Sequence, residues 1–173
     1  MHLTAYENAT VFYTEYIYPK VAEGQIPFVV EFGSYDVNGS LRPIFQGCEY
    51  VGLDLEAGKG VDVVVSSGEK TPIMDACADA VLSSSNFEHD ECFWMTFLEM
   101  CRILKPKQGL LYINAPSAGP YHGYPGDCWR FYKDSWSALA KWAKRNGYDV
   151  EIVETYVDVR GGWQDNVCVF MRA

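Results

Sequence analysis

The sequence predicts an α/β fold: a seven-stranded, mostly parallel sheet with helices on both faces and an antiparallel pair of strands at its C-terminal end. Three observations predict it. Short apolar, β-branched runs alternate along the chain with segments of helical period, the pattern of a parallel sheet covered on both faces. The first run closes on a tight turn at Gly33, and the second ends in an acid, Asp54, roughly 20 residues on. The last two runs have no helix between them, only a Gly161-Gly162 loop, so they pair antiparallel.

The elements follow in order. Residues 1–26 carry Tyr6, Phe12, Tyr13, Tyr16 and Tyr18. Phe12 and Tyr16 lie four apart, so a short helix ending before Pro19 is expected, serving either as cover for a sheet edge or as a lid over a ligand pocket. Strand one is Phe28–Phe32. A short helix is expected from Gly39-Ser40 to just before Gly47, then strand two at Tyr50–Asp54. Gly58 and Gly60 make a turn, and Val61–Val65 reads as strand three. Pro72 breaks the next segment, and Ala78–Ser83 reads as strand four. Phe93, Phe97, Cys101 and Leu104 recur at helical spacing, and Pro106 and Gly109 end that helix. Strand five is Leu110–Asn114. Residues 115–132 form a long polar and aromatic loop. Asp134 or Ser135 can cap a helix that turns Trp136, Leu139, Ala140 and Ala143 inward and stops at Gly147. Val150–Val153 and Val167–Phe170 complete the sheet.

Length and composition fit one domain over residues 1–173, with 49% hydrophobic and 21% charged residues excluding a disordered chain. A net charge of −9 repels phosphate backbones, so no nucleic acid partner is expected. The six cysteines show no CxxC spacing, which argues against structural zinc and for free thiols. His2, Glu7 and Asn8 interrupt any apolar run at the N-terminus, and no stretch approaches the ~20 apolar residues of a membrane span. The expectation is a cytoplasmic protein without membrane contact, a monomer or a homodimer, the aromatics of residues 6–18 being able to meet a second subunit.

Residues 28–54 point to a cofactor carrying an adenosine. A tight turn after strand one brings backbone close to a ligand, and a carboxylate at the end of strand two can accept from both hydroxyls of a ribose. Gly33 suits the turn because it carries no Cβ. As plain structure, Asp54 would be a surface acid at a strand end; its spacing from Gly33 weighs for the ribose. Tyr16 and Lys20 have the YxxxK spacing of short-chain dehydrogenases, but they precede this unit and hold Pro19 between them, which a regular helix does not accommodate.

Four motifs in order resemble the class I S-adenosylmethionine-dependent methyltransferases, in particular their small type 11 members. Val29-Val30-Glu31-Phe32-Gly33 is similar to the first motif and Asp54 to the ribose-binding acid. Leu82-Ser83-Ser84-Ser85-Asn86-Phe87-Glu88-His89 resembles the segment closing strand four, and Leu104-Lys105-Pro106-Lys107-Gln108-Gly109-Leu110 the turn before strand five. The resemblance covers roughly residues 27–155 and implies a Rossmann-like sheet with S-adenosylmethionine as cofactor. Two features depart from it: Tyr35 and Val37 replace later glycines of the GxGxG turn, and Ser66 and Ser67 stand where an acid often faces the adenine. The resemblance implies cofactor contacts from Glu31, Gly33, Ser34, Tyr35, Asp54, Leu55, Ser84 and Ser85, with Glu31 toward the methionine amino group. The alternative for Glu31 is a buried acid held by backbone N–H groups.

The loop 115–132 leaves strand five at the edge where α/β proteins place ligands, and it contains the HxxPxDxWRF pattern of type 11 relatives, from His122 to Phe131. His122 can accept a proton near neutrality and is the first candidate for general base, with Asp127 the second. Tyr121, Trp129 and Arg130 are candidates for acceptor contact, although an indole and an ion pair also serve simply to order a loop. In some relatives a pair like Glu88-His89 holds a divalent metal with a Glu three residues earlier. That position is Ser85 here, and no metal is expected. The sequence thus reads as a methyltransferase acting on a small-molecule or saccharide-like acceptor, most readily at oxygen. The alternative is a catalytically inactive S-adenosylmethionine-binding or interaction protein, which the altered glycine turn and the absence of an inserted substrate domain allow. A nicotinamide oxidoreductase is disfavoured by the missing GxGxxG.

Overall fold

A computed structural model describes residues 2–123 and 126–173. Seven strands form one sheet: β1 (Phe28–Phe32), β2 (Glu49–Asp54), β3 (Val63–Val64), β4 (Ala80–Ser84), β5 (Leu110–Pro116), β6 (Val150–Asp158) and β7 (Asp165–Arg172). Their order is β3-β2-β1-β4-β5-β7-β6. The first five strands run parallel, and β7 lies antiparallel to both β5 and β6. The expected architecture is therefore present, antiparallel end included.

Alternation along the strands builds two cores. Val30, Val81, Leu111, Ile113, Cys168 and Phe170 face one side, where α3 (Phe93–Ile103) adds Phe97 and Met100 and α4 (Ser135–Arg145) adds Trp136, Leu139 and Ala143. Val29, Ala80, Leu82, Tyr112, Val167 and Val169 face the other side. Successive side chains of a strand point to opposite faces, so one apolar run feeds both cores. The second core is covered by α1 (Leu3–Phe12), a single π-helical turn (Tyr13–Ile17) and α2 (Tyr18–Ala22).

Several local expectations differ from the structure. No helix forms between Gly39 and Gly47. Pro43 has no N–H to give, and the few residues between the two glycines are too short a run to repay helix nucleation. Turns form instead, with Ile44 N–H donating to the Leu41 carbonyl (2.9 Å) and Phe45 N–H to that of Arg42 (3.2 Å). Leu41, Ile44 and Phe45 are buried against the second core and do the covering that a helix would do. The N-terminal helical segment also does not stop before Pro19. It continues through it, because Pro19 falls in the first turn of α2, where a helix needs no N–H, and the π-helical turn directly before it takes up the break in the hydrogen-bond ladder.

Strand β3 is shorter than expected. Val61 N–H donates to the Gly58 carbonyl and Asp62 N–H to that of Gly52, which holds the approach to β3 in a turn. Strands β6 and β7 extend beyond their apolar centres. Among the described residues no helix is long and apolar enough to cross a membrane.

Candidate active site

The carboxyl ends of β1, β2, β4 and β5 open on a cavity of about 620 Å³, a size that suits a cofactor-sized molecule. Its first wall is the turn after β1. Gly33 has φ +85, and its N–H and that of Ser34 both donate to the Leu53 carbonyl, at 2.9 and 3.1 Å. A Cβ at Gly33 would lie 2.6 Å from the Asn86 side chain, so space as well as conformation requires glycine. The turn carries Tyr35 N–H to 2.8 Å from Asp54 Oδ2, while Leu55 N–H donates to Oδ1 at 2.7 Å. Two backbone donors thus fix the Asp54 carboxylate at the cavity wall, and each oxygen keeps acceptor capacity for a ligand hydroxyl.

Glu31 lies deeper, on β1, with 4% of its surface exposed. The Tyr50 hydroxyl donates to its Oε2 at 2.7 Å. Burial pushes the carboxyl up to about 7, against the lowering effects of that hydrogen bond and of Arg42; Asp54 and Asp36 act with burial. An ammonium placed here would find a carboxyl that ionises readily in its presence. The far wall is the end of β4. Ser85 adopts φ +50, its N–H held by the Asn114 carbonyl at 2.9 Å. The hydroxyls of Ser34 and Ser85 are buried, line the cavity and have no hydrogen-bond partner among the described residues. Buried hydroxyls are seldom left so, and polar groups of a ligand in the cavity would satisfy both.

The other end of the cavity is built from loops. His122 is flanked by Trp163, ring centroids 4.5 Å apart, and by His89 at 5.0 Å. Its N–H donates to Asp127 Oδ2 at 2.9 Å, and its ring Nδ1 lies 3.2 Å from the same oxygen, close but poorly aligned. Asp127 is in turn gripped by the Arg130 guanidinium through both oxygens. Arg130 and the His122 N–H hold the Asp127 carboxyl well below the usual carboxylate range, which makes it a poor proton acceptor but a firm anchor for the His122 backbone, beside the imidazole. Glu88 is 2% exposed, and burial pushes its carboxyl up to about 8. At the rim, the His2 ring hydrogen-bonds the fully buried Asp165.

Glu31, Gly33, Ser34, Tyr35, Asp54, Leu55, Ser84 and Ser85 all line this cavity, as does His122. Asp127 stands behind His122. Tyr121, Trp129 and Arg130 are not in the wall. Tyr121 projects to solvent at 79% exposure. Trp129 packs edge-on against Phe93 and Trp94 and donates its indole N–H to the Asp90 carbonyl at 3.0 Å. Arg130 ties Asp127 to the Pro120 carbonyl. Pro125 of the loop pattern, with Tyr124, lies outside the described residues. Ser66 and Ser67 do line the cavity, Ser67 bonded to Asp90.

Sequence reasoning missed Trp163, His2 and Asn86. A signal for Trp163 existed. Because β7 runs antiparallel to β5, Asp165 pairs with Pro116, so the β6–β7 loop must return to the cavity edge. Gly119, with φ +102, faces the Trp163 ring, and a Cβ there would lie 2.2 Å from it.

A family model described as a methyltransferase domain matches residues 38–113. No curated protein sequence matches the chain. Three of the similar solved structures follow. The first is Burkholderia thailandensis 1,6-didemethyltoxoflavin-N1-methyltransferase with bound 1,6-didemethyltoxoflavin and S-adenosylhomocysteine. It is similar at TM-score 0.68 and 15% identity over 98% of this chain and 78% of that one. A SAM-dependent methyltransferase from Archaeoglobus fulgidus is similar at TM-score 0.64 and 15% identity, over 97% and 94% of the two chains. The trans-methyltransferase CalH in complex with SAH is similar at TM-score 0.63 and 14% identity, over 86% of this chain and 52% of that one, so the chain spans about half the length of CalH. At such identities the likeness is one of fold.

Proposed function

We propose that the chain is a class I S-adenosylmethionine-dependent methyltransferase, a reading supported by the methyltransferase-domain match over residues 38–113 and by the shared fold, and that it binds S-adenosylmethionine in this cavity and transfers the methyl group to an oxygen of a small-molecule or saccharide-like acceptor. The observation that carries the reading is the Asp54 carboxylate, held by the Tyr35 and Leu55 amides at the wall of a cavity that also presents the unpartnered hydroxyls of Ser34 and Ser85. Asp54 accepts from the two ribose hydroxyls. The Gly33–Tyr35 turn allows close approach of the cofactor, and Glu31 takes the methionine ammonium, directly or through water. Ser84 and Ser85 shape the far side, and Leu55 packs near the base.

A sulfonium cofactor held by these residues would supply the methyl group together with its own leaving group, the sulfur keeping the electron pair of the broken carbon–sulfur bond as the acceptor oxygen bonds to the methyl carbon. The protein's work is alignment, with the oxygen roughly 3 Å from the methyl carbon, and disposal of the acceptor proton. His122 takes that proton through its free ring nitrogen. Asp127 and Trp163 hold the ring, and Arg130 holds Asp127. A small-molecule acceptor is supported by the Burkholderia thailandensis enzyme, which carries one in its structure.

Calorimetric titration with S-adenosylmethionine and S-adenosylhomocysteine, with NADH as control, tests the reading. Micromolar binding of the sulfur compounds, weakened at least tenfold in Asp54→Ala, is the expected result; absence of binding by either removes the proposal. His122→Ala should slow turnover while leaving cofactor affinity nearly unchanged.

A further inference from the structure

All three histidines of the chain line the same cavity, and two of them meet Glu88 in a way methyl transfer does not require. Ligand atoms of Glu88, His89 and His122 lie within 4.8 Å of one another. His89 Nδ1 faces the Gly126 carbonyl, to which only an N–H can donate, so His89 carries its proton there and its Nε2 is a lone pair. That Nε2 lies 3.7 Å from Glu88 Oε1. Glu88 Oε2 is buried, faces the cavity and has no hydrogen-bond partner among the described residues. His122 in its neutral form also holds a lone pair on one ring nitrogen, and the carboxylate at its Nδ1 side is Asp127. With both imidazoles neutral and Glu88 ionised, as a bound cation would hold them, three acceptors converge with no donor between them. The His89 imidazole is oriented by the Gly126 carbonyl, as metal-binding histidines are by their outer partners, and His122 has the Asp127 carboxylate 3.2 Å from its Nδ1, close but not aligned as a hydrogen bond.

We propose that Glu88, His89 and His122 form a binding site for a borderline divalent cation of the Zn²⁺ class. Two imidazoles and one carboxylate suit such an ion, whereas Mg²⁺ and Ca²⁺ favour all-oxygen sets. Tetrahedral zinc at bond lengths of roughly 2.0–2.2 Å sets its ligand atoms a little over 3 Å apart, so side-chain movements of about 1 Å close the site. The fourth position opens on the cavity. Sequence spacing does not reveal the set, because Ser85 occupies the place of a second acid and His122 arrives from another loop. A cation here uses the lone pair that methyl transfer assigns to the acceptor proton, so metal and acceptor compete for His122. That consequence rests on the methyltransferase reading; the site itself does not.

The test is titration of the purified chain with Zn²⁺ by calorimetry, and with Co²⁺ by visible absorption, without cofactor. Expected are one Zn²⁺ per chain and a tetrahedral Co²⁺ d–d spectrum, with affinity weakened at least tenfold in both His89→Ala and Glu88→Gln and unchanged in His2→Ala. The isosteric Glu88→Gln keeps the test valid if His89→Ala fails to fold. Equal affinity in wild type and ligand variants overturns the proposal, as does a thiolate-to-cobalt charge-transfer band, which would put the metal on cysteine. In the turnover assay, Zn²⁺ should inhibit and a chelator should restore the rate. Metal binding without methyl transfer would count against the enzymatic reading alone.

Discussion

Replacing Glu31 with Gln separates stability from binding. The buried carboxyl rises from 4.5 to about 7, so between those values the folded chain holds more protons than the unfolded chain. Stability therefore falls as pH rises across that window, and the loss is complete above it. At roughly 1.4 kcal/mol per pH unit the loss comes to about 3 kcal/mol, an order-of-magnitude figure. The amide that Glu31→Gln introduces is never ionised and can still accept from the Tyr50 hydroxyl, so the variant's profile lacks this fall. Denaturant melts should give similar stabilities at pH 4 and a variant more stable by about 3 kcal/mol at pH 8. Arg42, Asp54 and Asp36 also bias this carboxyl, but they are present in both proteins and largely cancel in the difference. The cofactor side runs the other way. An ammonium beside Glu31 favours its ionised form, so wild type should release a proton on binding near pH 6.5, visible as a calorimetric heat that scales with buffer ionisation enthalpy. Glu31→Gln should show no such release and weaker binding. Parallel stability profiles for the two proteins would refute the burial argument; a proton-neutral wild type would refute the ammonium contact.

Two further outcomes follow from the geometry. Gly33→Ala sets a Cβ 2.6 Å from Asn86 at φ +85, and should cost about 2 kcal/mol or more in thermal or urea unfolding while also weakening cofactor binding. Trp163→Leu frees the His122 ring, so it should lower kcat several-fold with little change in cofactor affinity; an equal loss in both would mean that Trp163 supports the whole cavity.

Much of the fold is legible because the central strands β1, β4 and β5 are covered on both faces. Val29-Val30, Ala80-Val81-Leu82 and Leu110–Ile113 are apolar at every position since both faces are buried, and such runs are hard to mistake when turns bound them. The segment 39–47 misleads because Leu41, Ile44 and Phe45 have the spacing of a buried helical face, and the same spacing serves a pair of turns once Pro43 interrupts the ladder. Asp54 and Gly33 can be found from sequence because their relation is local, one strand and one crossover apart. Trp163 and His2 cannot be found that way. They reach the cavity only through the pairing of β7 with β5 and through the contact of His2 with Asp165, both of which are distant along the chain.

This difference separates the two halves of the cavity physically. The cofactor half is made of strand ends and the turns fixed to them: Glu31 within β1, Asp54 closing β2, and Gly33 and Ser34 bonded to the Leu53 carbonyl. Changing its shape would mean changing strand register, to which the whole core responds. The other half hangs on loops. His122 is positioned by Asp127, Asp127 by Arg130, and the loop by Phe131 N–H to the Pro116 carbonyl and Cys128 N–H to the Glu88 carbonyl. Trp129, docked on Phe93 and Trp94, fastens the same loop to α3. Here side chains can change without disturbing the sheet, since loops carried on a rigid scaffold tolerate substitution. If the acceptor binds beside His122 as proposed, Trp129 and Arg130 act on it through the loop they hold, since neither reaches the cavity wall. Substitutions at either should reveal themselves first in the position of His122.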